Sequence, residues 1–231
     1  MANTNSSNSK NITRRDFVKN LAVGSSALAL LGDFRILYSS TDDQGIIKAI
    51  VVDFNKCTGC RTCETVCSAF NFKQNIKGES LPSLGNPFLS NIQVQHYNPD
   101  VDIPVVCAMC PDAPCIEACP VPADPKTGRK ALYRDEKTSA IKNDIERCIG
   151  CGKCAEACKT KSVGVIVPNP ENNKPEQMCT LCGGDPQCVK YCPFDALSYV
   201  EVDTKREFYG MAPDTIAKKL NNRFYNIQER R

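Results

Sequence analysis

Sixteen cysteines dominate the chemistry open to this chain, and they fall into four groups of four with none left over. Cys57, Cys60, Cys63 and Cys67 form the first group, and Cys148, Cys151, Cys154 and Cys158 the third; both read Cys-x2-Cys-x2-Cys-x3-Cys. Cys107, Cys110, Cys115 and Cys119-Pro120 form the second, and Cys179, Cys182, Cys188 and Cys192-Pro193 the fourth. These two read Cys-x2-Cys, a gap of four or five residues, then Cys-x3-Cys-Pro. The order A-B-A-B is an internal repeat. Thiols at this density either ligate metal or pair as disulfides. Disulfide frameworks this dense belong to much shorter secreted chains, and thiols two and three residues apart would compete for partners. A structural zinc takes two Cys-x2–4-Cys arms and has no use for a third cysteine at the same step. The spacing favours iron–sulfur chemistry over both.

The A spacing resembles that of bacterial-type ferredoxins, and the chemistry explains why. Three thiolates separated by two residues let a short loop wrap one 4Fe-4S cubane, with backbone N–H groups turned toward the sulfurs. The fourth, after three intervening residues, lies where a helix is expected to begin and serves a second cluster. Two A/B pairs then hold four 4Fe-4S clusters. With all sixteen cysteines assigned, His96 reads as a surface polar residue rather than a ligand.

Short elements must position these loops. Ile46–Asp53 is a β-rich run entering the first group, and Glu64–Phe72 a short helix leaving it. Lys130–Tyr133 and Ala140–Lys142 read as a hairpin entering the third group; Val163–Val167 and Ala196–Val202 are predicted strands following the third and fourth. Strand, cluster loop, helix, strand is thus used twice. Glu79–Asn98 is the longest insertion, interrupted by Pro82, Gly85 and Pro87, and its Ile92–Tyr97 alternates like an exposed strand. It suits either a partner contact or a surface hairpin over one cluster. Beyond Pro213, apolar Ile216, Leu220, Phe224 and Ile227 recur at helical steps opposite Lys218, Lys219, Arg223, Arg230 and Arg231. That pattern predicts an amphipathic helix packed on its own body.

The first forty residues read differently. A polar stretch leads to Arg14-Arg15-Asp16-Phe17-Val18-Lys19 and then to an apolar run, Leu21–Leu31. This order of regions resembles a twin-arginine export signal, which implies a route that moves proteins already folded around their cofactors. The apolar run is about half the roughly 20 residues a membrane-spanning helix needs, so no transmembrane anchor is expected. The formal charge of +3 arises entirely in residues 1–40, where Lys10, Arg14, Arg15, Lys19 and Arg35 face Asp16 and Asp33. No basic patch remains for nucleic acid. No dinucleotide fingerprint, phosphate-binding loop or nucleophile constellation is present, so no catalytic site is expected.

Over residues 46–203 the four-group pattern is similar to the four-cluster iron–sulfur subunits of molybdenum- and tungsten-containing oxidoreductases, of the dimethyl sulfoxide, formate, nitrate and polysulfide reductase type. Cys57-Thr58-Gly59-Cys60-Arg61-Thr62-Cys63-Glu64-Thr65-Val66-Cys67 is also similar to the ferredoxin-like partners of tungsten aldehyde oxidoreductases. The resemblance implies an α+β fold of two intertwined bacterial-ferredoxin-like modules, with short strands, short helices and long loops around four cubanes. It also implies that the first group pairs with the fourth and the second with the third. On that scheme Cys57, Cys60, Cys63 and Cys192 hold one cluster, and Cys179, Cys182, Cys188 and Cys67 another. Cys148, Cys151, Cys154 and Cys119 hold the third, and Cys107, Cys110, Cys115 and Cys158 the fourth. Ser68 and Lys159 stand where proline commonly follows the last cysteine. The implied organisation is a leader over 1–40, a four-cluster domain over 41–203 and a C-terminal helix or tail over 204–231. The implied function is electron transfer between a redox partner and a pterin-containing molybdenum or tungsten catalytic subunit, in the periplasm or on the outer face of the cytoplasmic membrane. A quinone-linked membrane subunit is a further partner the resemblance admits. A free-standing polyferredoxin shuttle is the alternative reading.

Overall fold

In a computed structural model, residues 46–83 and 85–225 are described; the leader and the end of the C-terminal helix pattern (Ile227, Arg230, Arg231) lie outside them. The β-rich run forms β1 (Lys48–Val52), which pairs antiparallel with β10 (Leu197–Glu201), placing Lys48 opposite Glu201 and Val52 opposite Leu197. This ladder brings the first and fourth cysteine groups together across most of the chain. Helix α1 (Thr62–Asn71), which carries the end of group one, packs on α4 (Gln187–Lys190) of group four. Helix α2 (Pro114–Glu117) of group two packs on α3 (Lys153–Lys161) of group three. The hairpin of β6 (Leu132–Arg134) and β7 (Ile141–Asn143) lies between those two in sequence. One module is therefore nested inside the other: groups two and three lie between the halves that β1 and β10 join.

The remaining elements cover these modules. β2 (Lys73–Ile76) and β3 (Glu79–Pro82) form an outer hairpin, β4 (Gln93–Asn98) pairs with β5 (Val101–Val105), and β8 (Val167–Pro168) with β9 (Pro175–Glu176). Every sheet among the described residues is two-stranded. Helix α5 (Pro213–Tyr225) lays Ile216, Ala217 and Leu220 against β5, as the start of its apolar stripe predicts, but Phe224, one turn further on, is exposed. No described helix is long and apolar enough to cross a membrane.

Two apolar cores result, and cysteines sit in both. Val101, Ile103, Val105, Leu132, Ile141, Val165, Ile166, Ile216 and Leu220 surround Cys115, Cys154 and Cys158. Ala49, Ile50, Ile92, Val106, Met109, Leu181 and Leu197 surround Cys67, Cys179 and Cys188. Cys107 packs against both.

Three expectations change. Of Val163–Val167, only Val167 enters a ladder; Val165 and Ile166 are buried by packing in an irregular segment. The strand expected to be exposed at 92–97 turns Ile92 and Val94 inward and is covered on that face. Helices α1 and α3 begin before the third cysteine of their groups, not at the fourth.

Candidate metal centre

Each Cys-x2-Cys turn must reverse the chain so that its flanking thiols face one hollow. The residue before the second cysteine does this with a left-handed backbone in all four groups: Gly59 and Gly150 (φ 67° each), Met109 (φ 51°) and Leu181 (φ 52°). At Gly59 the requirement is also steric, because a Cβ there would overlap the Asp102 carboxylate. Met109 and Leu181 pay about 1–2 kcal/mol for the same conformation. Both side chains are essentially fully buried, at 0% and 1% exposure, and that burial returns about 1.5–3 kcal/mol. Burial outweighs strain, so the B-type turns need no glycine.

The helices carry the remaining ligand candidates. In the A groups the third and fourth cysteines stand four apart on one helix, Cys63 and Cys67 on α1, Cys154 and Cys158 on α3, and so share a face one turn apart. Proline after Cys67 or Cys158 would interrupt the helix interior, which accounts for Ser68 and Lys159. Helices α2 and α4 end before Cys119 and Cys192, where Pro120 and Pro193 follow without cost.

Three hollows are each lined by four cysteines drawn from two groups. Cys57, Cys60, Cys63 and Cys192 line one; Cys107, Cys110, Cys115 and Cys158 a second; Cys119, Cys148, Cys151 and Cys154 a third. The other four cysteines form a set centred on Cys67, whose thiol lies within electrostatic reach of Cys179, Cys182 and Cys188. The sets adjoin: Cys63 feels Cys188, and Cys179 feels Cys107. Cys60 and Cys151 are the exposed members of the sixteen.

Several observations test whether these residues fit a cluster. All sixteen thiols are free of disulfides. In three of the four sets the thiols line a shared hollow, as a polynuclear core requires. Backbone N–H groups of Asn91, Leu181 and Ala196 donate to Cys67, Cys179 and Cys192 Sγ at 3.3, 3.4 and 3.3 Å. Asn143, on the wall of the third hollow, has buried Nδ2 and Oδ1 atoms without a hydrogen-bond partner, and a cluster's sulfurs would offer Nδ2 acceptors. Burial pushes the thiols of Cys63, Cys107, Cys115 and Cys188 up to about 12, so a neutral thiol is favoured until a cationic core replaces its proton.

Sequence reasoning did not single out the residues that brace these loops. Lys130 Nζ donates to the carbonyls of Ile116, Glu117 and Cys119 at 3.3, 3.0 and 3.0 Å, closing the end of α2. Arg134 reaches the Cys110 carbonyl. Buried Glu64 accepts from the Val94 amide, fastening β4 to α1. A lone basic or acidic residue gives no sequence signal of this kind. His96 lies outside the four sets, its Nδ1 2.9 Å from Asp102 Oδ1.

The family model for a 4Fe-4S binding domain matches residues 141–162, which span β7, the third group and α3. The polyferredoxin-like subunit of aliphatic sulfonate oxidoreductase from Pyrococcus furiosus is 35% identical over 176 residues, covering 74% of this chain and 88% of the relative. This chain belongs to the family of polyferredoxin-like 4Fe-4S electron-transfer subunits of oxidoreductases. The thiosulfate reductase electron transfer subunit PhsB from Salmonella typhi is 30% identical over 158 residues, 65% of this chain and 74% of that one. Among solved structures, a chain of the active site complex BamBC of benzoyl coenzyme A reductase is 23% identical, with coverage of 79% and 94% and a TM-score of 0.33. As a member of this family the chain carries four 4Fe-4S clusters and transfers electrons, leaving catalysis to another subunit.

Proposed function

We propose that the four clusters are held as the sets lie in space: Cys57, Cys60, Cys63 and Cys192; Cys179, Cys182, Cys188 and Cys67; Cys107, Cys110, Cys115 and Cys158; and Cys148, Cys151, Cys154 and Cys119. The observation that carries this reading is that hollows lined by four cysteines each draw three from one group and one from its partner group. A bound 4Fe-4S cluster supplies one-electron redox chemistry. The protein supplies the ligands, the N–H groups that meet the sulfurs and the low-dielectric surroundings. The adjacency of Cys63 to Cys188 and of Cys179 to Cys107 supports a line of four centres, with the exposed Cys60 and Cys151 in its two outer sets.

The line serves a fixed complex. The catalytic partner is a pterin-containing molybdenum or tungsten subunit, a reading supported by relatives described as subunits of sulfonate oxidoreductase, thiosulfate reductase and formate dehydrogenase-O. The paired arginines support export by the twin-arginine route to the periplasmic side, and a division into leader 1–40, cluster domain 41–203 and tail 204–231. Affinity isolation from anaerobically grown cells tests this. The expected result is co-purification of a pterin protein and about sixteen irons per chain. A lone chain, fully loaded with iron, would instead mark a free electron shuttle.

A further inference from the structure

The A-B-A-B repeat contains a feature outside the cysteines. Four residues after Cys67 stands Asn71, the last residue of α1; four residues after Cys158 stands Ser162, which caps α3. Asn71 Nδ2 lies 3.5 Å from Cys67 Sγ and 3.7 Å from Cys182 Sγ. Its Oδ1 accepts from the Thr180 hydroxyl at 2.9 Å, that hydroxyl accepts from the Cys182 amide at 3.2 Å, and one N–H of Nδ2 donates to the Cys67 carbonyl at 3.0 Å; together these fix the amide and leave its second N–H on the side of the thiols. Ser162 Oγ lies 3.1 Å from Cys110 Sγ. Cys182 and Cys110 occupy the same place in the repeat, the second cysteine of each B-type group. They belong to the two inner sets.

We propose that Asn71 and Ser162 set the reduction potentials of the two inner clusters by donating side-chain hydrogen bonds to the Cys182 and Cys110 thiolates. The proposal rests on the four-cluster reading above. A thiolate has no proton to give, so both side chains act as donors toward it. Reduction adds negative charge to the cluster and its ligands, and a donor to a ligand sulfur stabilises that form more than the oxidised one. Each contact therefore raises its cluster's potential. Thr62 makes a related contact with Cys60, at 3.4 Å, but Cys60 is exposed and water can satisfy it equally well. Cys110 and Cys182 are half-buried, and Asn71 is too, so the side-chain donor has less competition there.

The test is a redox titration of the loaded full chain, followed by electron paramagnetic resonance, on wild type, Asn71→Ala, Ser162→Ala and the double variant. Iron content is expected to stay at about sixteen per chain. Each single variant is expected to lower one midpoint by roughly a tenfold shift in the oxidised-to-reduced ratio, about 59 mV for a one-electron couple. The double variant should lower two different midpoints, and Ser162→Thr should restore the wild-type value. Full iron with all four midpoints unmoved overturns the proposal. If Asn71→Ala loads fewer irons, Ser162→Ala, which removes a single oxygen atom, decides: an unmoved midpoint there overturns it as well. A wild-type chain without four titrating centres would overturn the underlying four-cluster reading instead.

Discussion

Gly59 shows how narrow the tolerance of a cluster loop is. Its left-handed backbone alone would cost an alanine about 1–2 kcal/mol, the same penalty expected at Gly128, which has the same φ of 67° and nothing near its missing Cβ. Gly59→Ala must in addition drive the Asp102 carboxylate out of the position it holds beside His96. Gly128→Ala is therefore expected to lower the temperature of cluster loss by only a few degrees, and Gly59→Ala by at least twice as much. Asp102→Ala placed in the Gly59→Ala background should recover the difference but not the common part. Equal losses in the two single variants would remove the steric argument. The buried thiols make a second prediction at this scale. In the metal-free chain, burial holds Cys63, Cys107, Cys115 and Cys188 near about 12, against an ordinary 9.0. The folded metal-free chain keeps protons that the unfolded chain releases above about pH 9, so its stability falls as pH rises from 9 toward 12. In the loaded protein those thiols hold iron and have no proton to lose. Urea midpoints at pH 8 and pH 10 should fall for the metal-free chain, provided it is folded at pH 8, and stay level for the loaded one.

At the scale of elements, each core is built partly from ligand cysteines, so packing defects are expected to act on metal retention locally. Leu220 is 1% exposed on α5, in the core that contains Cys115, Cys154 and Cys158. Leu220→Ala removes buried methyls at a cost of about 2–5 kcal/mol. Iron release to a chelator is expected to become biphasic, with about half the iron leaving faster and the half near Cys67, Cys179 and Cys188 little changed. Uniform acceleration would mean that the two modules lose metal as one unit. Element by element, the sequence was most informative where the pattern was local. β1, α1, the β6–β7 hairpin, β10 and the start of α5 follow from alternation or helical spacing. Val163–Val167 did not, because its apolar residues are buried against helices and cysteines, with almost no ladder, and periodicity cannot tell those situations apart. Met109 and Leu181 escaped notice for a related reason: an apolar residue carries no signal for a left-handed backbone. Only superposing the B turns on Gly59 and Gly150 would have found them.

For the whole molecule, the spacing of sixteen cysteines was enough to give the number and kind of cofactors. Which group joins which was not contained in that spacing, because it depends on β1 meeting β10 across the nested module. Cofactor charge completes the physical picture. Beyond residue 40 the chain is formally neutral, and its sequence pI of about 8.1 counts every thiol as free. Four thiolates around an oxidised core of about +2 leave about −2 per cluster, so the loaded body carries roughly −8. A tetrathiolate zinc site would carry the same charge, and acidity alone would not distinguish the two. Reduction does, because zinc has no redox chemistry whereas each 4Fe-4S cluster gains one further negative charge. Under anaerobic native electrophoresis of residues 41–231, the oxidised loaded protein should migrate well ahead of the metal-free chain toward the anode. Adding a strong reductant should advance it again, by up to four more charges if every potential lies within that reductant's range. A mobility unchanged by reductants spanning the 4Fe-4S range, down to about −700 mV, with the metal retained, would exclude electron transfer as the work of these thiols.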